Sequence, residues 1–337
     1  MVPAAITLAY AGAAPLLVFA ACGLGIIPLA GFMGEATEAL AHRSGPGVGG
    51  LLNATFGNAA ELIITVFALR AGLVTLVRAS LIGSIIGNLL LILGFAIVAA
   101  GWRRTEITFS ATAAAASLGM MVLAAAAFAA PSLYALAHPA PDARTILHIS
   151  DGVALFLVAT YLLSLLFTLR THRSLLQPDA GGGEHHWRPG RAVLVLGAAT
   201  ALVVWLSEIL VGVTEAASRA VGVSEMFLGL VIIPIVGNAA EHATAVMVAR
   251  KGKMELAFQI ATGSSTQVAL FVAPVLVGIG HLMGRPMDFA FSSFEVAALG
   301  LTSIAVAFIA LDGKSNWFEG VQLLGLYGVL AVVAFFI

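Results

Sequence analysis

Long apolar runs alternate with short polar joins along the whole chain. A helix needs about 20 apolar residues to span a bilayer, and ten runs are long enough. They cover roughly residues 13–33, 46–69, 79–100, 107–130, 149–169, 191–217, 224–249, 255–280, 289–311 and 318–337. Residues 1–12 are apolar but too short to cross alone. Arg, Lys, Gly and Pro mark the joins, as expected where helices end. The longest polar stretch, about 170–191, holds Gly181-Gly182-Gly183 and His185-His186 and divides five spans from five. The pattern predicts an all-α membrane protein of about ten transmembrane helices. Its first five-helix half occupies 1–170, a central loop 171–190 and the second five-helix half 191–337.

The distribution of Lys and Arg orients these spans, because cytoplasmic connections carry an excess of both. The odd-numbered connections hold eleven, among them Arg43, Arg103, Arg104, Arg188, Arg250 and Lys314; the even-numbered ones hold Arg70, Arg78, Arg144, Arg219 and Arg285. The central loop is therefore placed in the cytoplasm and both termini outside. Five spans per half make the halves enter the membrane in opposite directions. Residues 57–94 align with 237–274 at a constant offset of 180 without a gap. Arg70/Arg250, Gly72/Gly252, Gly83/Gly263, Ser84/Ser264 and Leu90/Leu270 are shared. A 5+5 inverted-topology repeat of this kind is the build of many secondary transporters, with the site near the midplane at the repeat interface.

Composition narrows the class further. Of 337 residues, 60% are hydrophobic and only 10% charged, against about 25% charged in a soluble domain. The single cysteine, Cys22, excludes a disulfide scaffold and a thiolate metal cluster. No basic stripe supports nucleic-acid binding. The first apolar run has neither a charged start nor a clear cleavage site, so it reads as a span and not a signal peptide.

Against that apolar background one polar element occurs twice. Gly57-Asn58-Ala59-Ala60-Glu61 returns letter for letter as Gly237-Asn238-Ala239-Ala240-Glu241. An ionised carboxylate at the bilayer centre costs roughly 2.5–3.5 kcal/mol on insertion scales, so two of them imply use. Asn58 and Glu61, like Asn238 and Glu241, are three apart and share a helix face. The next span of each half adds Ser84 and Asn88, or Ser264, Ser265 and Gln267, with Thr262 close by. These are nearly all oxygen donors, the set that hard divalent cations take, whereas softer metals want Cys or clustered His. Gly57, Gly237 and Pro234 let the helices kink and free carbonyls, tolerated at membrane depth only where they line a cavity or bind an ion. Gly83 and Gly263 are expected to let neighbouring helices approach closely. Neither glutamate can stay ionised without compensation, so the site is expected to hold either a divalent cation or protons. That alternation is the basis of exchange.

These pentapeptides, with Gly83–Asn88, Gly263–Pro274, Ile26–Leu40 and Gly49–Ile63, resemble the calcium/proton exchanger family of the calcium/cation antiporter superfamily. The similarity covers essentially the whole ten-span core. It implies an antiporter exporting cytosolic Ca2+ for incoming H+, with helices one and six moving against a core bundle. By the resemblance, Glu61 and Glu241 are the calcium ligands, with Asn58, Asn238, Ser84, Ser264 and Gln267 supporting the ion or its waters. His242 stands where the family has a histidine beside the second glutamate; its repeat partner is Leu62, so the half-sites are not equivalent. The family usually begins with a further helix, of which residues 1–12 resemble a stub. Its central loop is often acidic, whereas here that loop has only Asp179 and Glu184. No resident cofactor is expected: Ca2+ is cargo and H+ the counter-ion. The expected partners are these ions and the bilayer of a bacterial plasma membrane, with a homo-oligomer admissible.

Blander roles compete at several positions. Asn58 and Asn238 could only join helices, Ser84 and Ser264 could back-bond to their own helix, and Asn88, Gln267 and His242 could be packing. Glu38 and Glu215, in matching Thr-Glu-Ala triplets, are candidates for the two mouths, falling at opposite faces in this topology. Glu208 shares Glu215's face and serves either a helix contact or the pathway. Glu35 is expected to face the cytoplasm or its vestibule. Other functions remain as alternatives: a sodium-coupled or manganese-preferring exchanger, or a cation channel. Two unlike half-sites in one chain fit a single alternating-access site better than a symmetric pore. No enzyme is expected, since Glu241-His242 lacks the HExxH spacing of a zinc hydrolase.

Overall fold

Backbone N–H and C=O groups find no water in a bilayer and must bond within their own segment, so the apolar runs fold as helices. The computed structural model describes residues 1–138, 140, 142–171 and 187–337. The helices are α1 (Val2–Tyr10), α2 (Pro15–Arg43), α3 (Gly45–Phe56), α4 (Ala59–Ala71), α5 (Val74–Gly101) and α6 (Ala111–Ala137). They continue as α7 (Ala143–Leu166), α8 (Pro189–Val221), α9 (Glu225–Gly237), α10 (Ala239–Arg250), α11 (Met254–Leu282), α12 (Ser293–Ala310) and α13 (Trp317–Phe336). Among the described residues, α2, α5, α6, α7, α8, α11, α12 and α13 are each long and apolar enough to cross a membrane, and α9–α10 is a ninth candidate bent by 63°. The glycine run Gly181–Gly183 and His185-His186 of the central loop lie outside the described residues.

Several boundaries differ from the hydrophobic pattern for local reasons. Helix α2 runs on to Arg43 instead of ending near residue 33, carrying Pro28 inside it, so Glu35 and Glu38 ride on the helix itself. Helix α6 starts at Ala111 and not 107, because Ser110 caps it by accepting from the Ala113 N–H at 3.1 Å. Ile107–Thr108 instead forms β1, antiparallel to β2 (Lys314–Ser315), with Ile107 opposite Ser315. Helix α12 starts at Ser293 and not 289, set by a capping box between Ser292 and Glu295. The residues before it turn aside to pack: Phe289 and Phe291 lie 5.1 and 5.0 Å from Phe128, and the Phe289 N–H donates to Ser150 Oγ.

The chain divides into two compact units, each drawing on both halves of the sequence. The first comprises residues 1–80, 165–240 and 335–337. Its backbone is the long pairing of α2 with α8, the most extensive helix packing in the described chain, with α1 against both and α4 against α8. Small residues bring these elements close, as lipid tails reward tight packing more than apolar character. A Cβ at Gly229 would stand 2.7 Å from the Leu76 carbonyl oxygen.

The second unit comprises residues 81–164 and 241–334. Within it α6 packs on α11 and α12, and α5 on α11. Helices α5 and α13 meet at two glycines: a Cβ on Gly94 would come within 3.0 Å of the Gly320 carbonyl oxygen, and one on Gly320 within 2.8 Å of Gly94 O. Gly263, expected at a close helix approach, has nothing within 4 Å of its would-be Cβ; tight contacts between distant segments fall at other glycines, Gly94, Gly101, Gly229 and Gly320 among them. Gly320→Ala should therefore destabilise the purified protein by about 1–3 kcal/mol, the usual cost of overpacking, whereas Gly263→Ala should leave the thermal midpoint unchanged. A melting series in detergent checks the pair.

Candidate cation site

Each pentapeptide sits where a helix breaks. Helix α3 ends at Phe56 and α4 begins at Ala59; Asn58 between them leaves helical geometry at φ −101°, ψ 21°. The same departure occurs at Asn238, φ −107°, ψ 9°, between α9 and α10. Both second helices then stop at left-handed glycines 180 positions apart, Gly72 at φ 85° and Gly252 at φ 81°. The apolar run 46–69 is thus two helices joined at the pentapeptide, and so is the run 224–249. A helix start leaves orphan N–H groups and a partial positive charge. Glu61 and Glu241 lie in those first turns.

In the first unit, Glu61 is fully buried, with both carboxylate oxygens shut off from solvent, and Asn58 and Asn238 are buried beside the breaks. The two pentapeptides meet here: a Cβ at Gly237 would lie 3.4 Å from Glu61 Cβ, an ordinary van der Waals contact. Asn238 Nδ2 donates to the Pro234 carbonyl at 3.2 Å, which also receives the Asn238 backbone N–H. That bond turns the Asn238 amide oxygen away from Pro234.

In the second unit, Glu241 heads a continuous polar chain. Its carboxylate is hydrogen-bonded to Ser264, while its Oε2 is buried and has no hydrogen-bond partner among the described residues. Ser264 Oγ accepts from Asn88 Nδ2 at 3.1 Å, and Asn88 Oδ1 faces His242 Nε2 at 3.0 Å. Ser264 therefore does more than back-bond, and His242 and Asn88 join a network ending on the glutamate. Ser84 is buried one turn from Asn88, and Gln267 is half-buried one turn after Ser264. Ser265 is the exception among the expected pathway residues: its hydroxyl donates to its own helix at Ala261 O, 2.9 Å away. Thr262 likewise donates to Phe258 O.

Two features escaped the sequence. Asn88 lies in a π-helical turn, Gly87–Ile92, and Gln267 directly precedes another, Val268–Val272. Such turns widen a helix and shift side-chain direction, often at functional sites, and hydropathy does not register them. At the ends of α7 and α11, His281 Nε2 approaches Asp151 Oδ2 at 3.5 Å, with His148 Nδ1, three residues earlier on the same helix, at 4.0 Å from the same oxygen; His281 comes from a distant segment, so no spacing announces its part.

The mouth candidates stand apart from these networks. Glu38 on α2 and Glu208 and Glu215 on α8 are all exposed, so Glu208 does not serve a buried helix contact. Glu215 pairs with Arg219 at 3.2 Å on the same helix, an exposed pair of small energetic weight. Among the described residues no three His, Cys, Asp or Glu stand together as a metal-holding group. A cation held at the breaks must draw on amide, hydroxyl and carbonyl oxygens as well as carboxylate, the mixed shell that hard divalent ions accept.

The chain matches known proteins along almost its full length. The family described as sodium/calcium exchanger protein matches residues 14–170 and 191–336. A Ca(2+)/H(+) antiporter of Synechocystis is 44% identical over 339 residues, covering 95% of this chain and 91% of that protein. The Ca(2+)/H(+) antiporter ChaA of Bacillus subtilis is 40% identical, covering 94% of this chain and 91% of its own length. The solved structure of native YfkE, 37% identical, superposes with a TM-score of 0.88 over 100% of this chain and 97% of that one. This chain is a helical membrane protein and belongs to the sodium/calcium exchanger protein family.

Proposed function

We propose that this protein exchanges cytosolic Ca2+ for H+ by alternating access, with Glu61 and Glu241 as the groups that carry either species. The observation behind the reading is the buried Oε2 of Glu241, which no side chain or backbone group satisfies among the described residues. A carboxylate so placed needs a cation or a proton. Relatives named Ca(2+)/H(+) antiporters at 44% and 40% identity supply the candidate pair. Glu61 belongs to the same reading because its pentapeptide is identical and its backbone break is alike. Two carboxylates neutralise one divalent ion. Asn58, Asn238, Ser84, Ser264 and Gln267 supply neutral oxygens to the ion or its waters, and Asn238 is held with its amide nitrogen occupied by Pro234. When the cation leaves, protons replace it on the carboxylates, so neither glutamate crosses the cycle bare. No covalent chemistry is assigned to the chain.

Parity of crossings supports ten spans. Arg43 Nη2 donates to the Trp187 carbonyl at 3.3 Å, which puts the two joins on one membrane face. An even number of crossings must separate them. Between them lie α5, α6 and α7, so the broken pair α3–α4 supplies the fourth. Strands β1 and β2 likewise share a face, and α6, α7, α8, α11 and α12 lie between; the broken pair α9–α10 makes the count even. On this reading both broken pairs cross, which supports five spans in each half and the inverted repeat. The excess of Lys and Arg places these joins in the cytoplasm of a bacterial plasma membrane.

Two experiments test this. In sodium-free proteoliposomes, calcium-45 uptake should follow an imposed pH gradient, collapse with a protonophore, and fall to the level of protein-free vesicles in both Glu61→Gln and Glu241→Gln. Exchange retained by both variants would sink the two-glutamate reading. Uptake driven only by a sodium gradient would replace the counter-ion, and no calcium movement would replace the cargo, with manganese next. In a Cys22→Ser background, single cysteines at Arg103→Cys and Lys251→Cys should react with an impermeant maleimide from one side, and Arg219→Cys and Arg285→Cys from the other. Labelling of all four from one side would overturn the ten-span topology.

A further inference from the structure

We infer that Asn88 is a positioning residue that works through Ser264 to set calcium affinity at Glu241, without touching the ion itself. The inference rests on the calcium/proton reading above and adds a role that the oxygen-donor pattern does not contain. As a spare amide in the polar network of Glu241, Asn88 looks like one more ligand. Its geometry gives it another task, because both ends of its amide are already engaged: Nδ2 on Ser264 Oγ at 3.1 Å and Oδ1 on His242 Nε2 at 3.0 Å. The side chain is buried on every side, 1% exposed.

Donor and acceptor accounting gives the chain a direction. A carboxylate loaded with a cation is ionised and only accepts. Ser264 has one proton, and it goes to Glu241. Ser264 Oγ must then accept from its other neighbour, so Asn88 presents its NH2 there and its carbonyl oxygen to the ring. His242 in turn must donate from Nε2. The sequence of donors is His242 Nε2–H to Asn88, Asn88 Nδ2–H to Ser264, and Ser264 Oγ–H to Glu241, each link aimed at the glutamate. Linked hydrogen bonds in low dielectric polarise one another in the same sense. The Asn88 amide holds a Ser264 lone pair; removing it takes away that anchor and favours rotation of the hydroxyl toward a backbone carbonyl, the kind of acceptor Ser265 uses at Ala261 O and Ile85 O. The π-turn over Gly87–Ile92 lies at Asn88 itself, where a widened helix redirects a side chain.

The test is a double-mutant cycle on calcium KM in proteoliposomes with the full-length protein, run on wild type, Asn88→Leu, Ser264→Ala and the double variant. Ser264→Ala removes the hydrogen bond to the charged glutamate, and Asn88→Leu releases the hydroxyl that makes it, so KM should rise about tenfold or more with Vmax little changed. Because Asn88 acts through Ser264, the double variant should be no worse than Ser264→Ala alone, a full failure of additivity. Additive increases, or a fall in Vmax at constant KM, would overturn the inference while leaving calcium/proton exchange intact. Absence of pH-driven uptake in wild type would instead count against the exchange reading. A second measurement needs no folded variant of Asn88: solid-state NMR of nitrogen-15-histidine protein loaded with Ca2+ in lipid, with His242 assigned by subtraction of His242→Gln. The ring should carry its proton on Nε2; a neutral ring protonated on Nδ1 alone would reverse the chain and overturn the inference.

Discussion

A carboxylate cannot remain charged and bare where no water reaches it, and much of this protein follows from that constraint. Two helices break at Asn58 and Asn238 so that Glu61 and Glu241 fall in first turns, where orphan N–H groups and the helix dipole favour negative charge. A break exposes backbone groups as well as supplying that field. At the second break Asn238 answers part of this demand by bonding the Pro234 carbonyl. The part of that demand left unanswered is seen most plainly at the buried Glu241 Oε2, which has no hydrogen-bond partner among the described residues.

The half-sites solve the same problem with different means. Beside Glu61, Gly237 passes at van der Waals distance, and Leu62 occupies the position equivalent to His242. Around Glu241 a side-chain relay of Ser264, Asn88 and His242 leans on the carboxylate. Identical pentapeptides therefore sit in chemically distinct surroundings.

Legibility in the sequence tracked the kind of physics involved. Helix existence followed from apolar runs of spanning length, and the candidate site was read from carboxylates that a bilayer resists. Boundaries were less legible where short-range hydrogen bonds overrule hydropathy: Ser292 and Glu295 start α12 four residues late, and Ser110 starts α6 after a strand that the apolar run concealed. Gly263 matched a repeat position yet faces open space, whereas Gly94 and Gly320 carry the contact; repetition marks ancestry of a position and not its packing. The Asn88 relay was invisible because its members come from three helices, and Ser265, adjacent to Ser264 in sequence, points into its own helix.

The small β1–β2 ribbon has a consequence for how the chain is made. It joins residues about as far apart as Glu106 and Lys314, which pair 208 positions apart, and the Gly94–Gly320 contact spans a similar gap. Loop closure over such distances is slow because chain entropy is lost before contacts reward it. The ribbon and the Gly94–Gly320 contact therefore form only once β2 and α13 have been made, and until then the polar relay of the second unit sits in partly assembled surroundings.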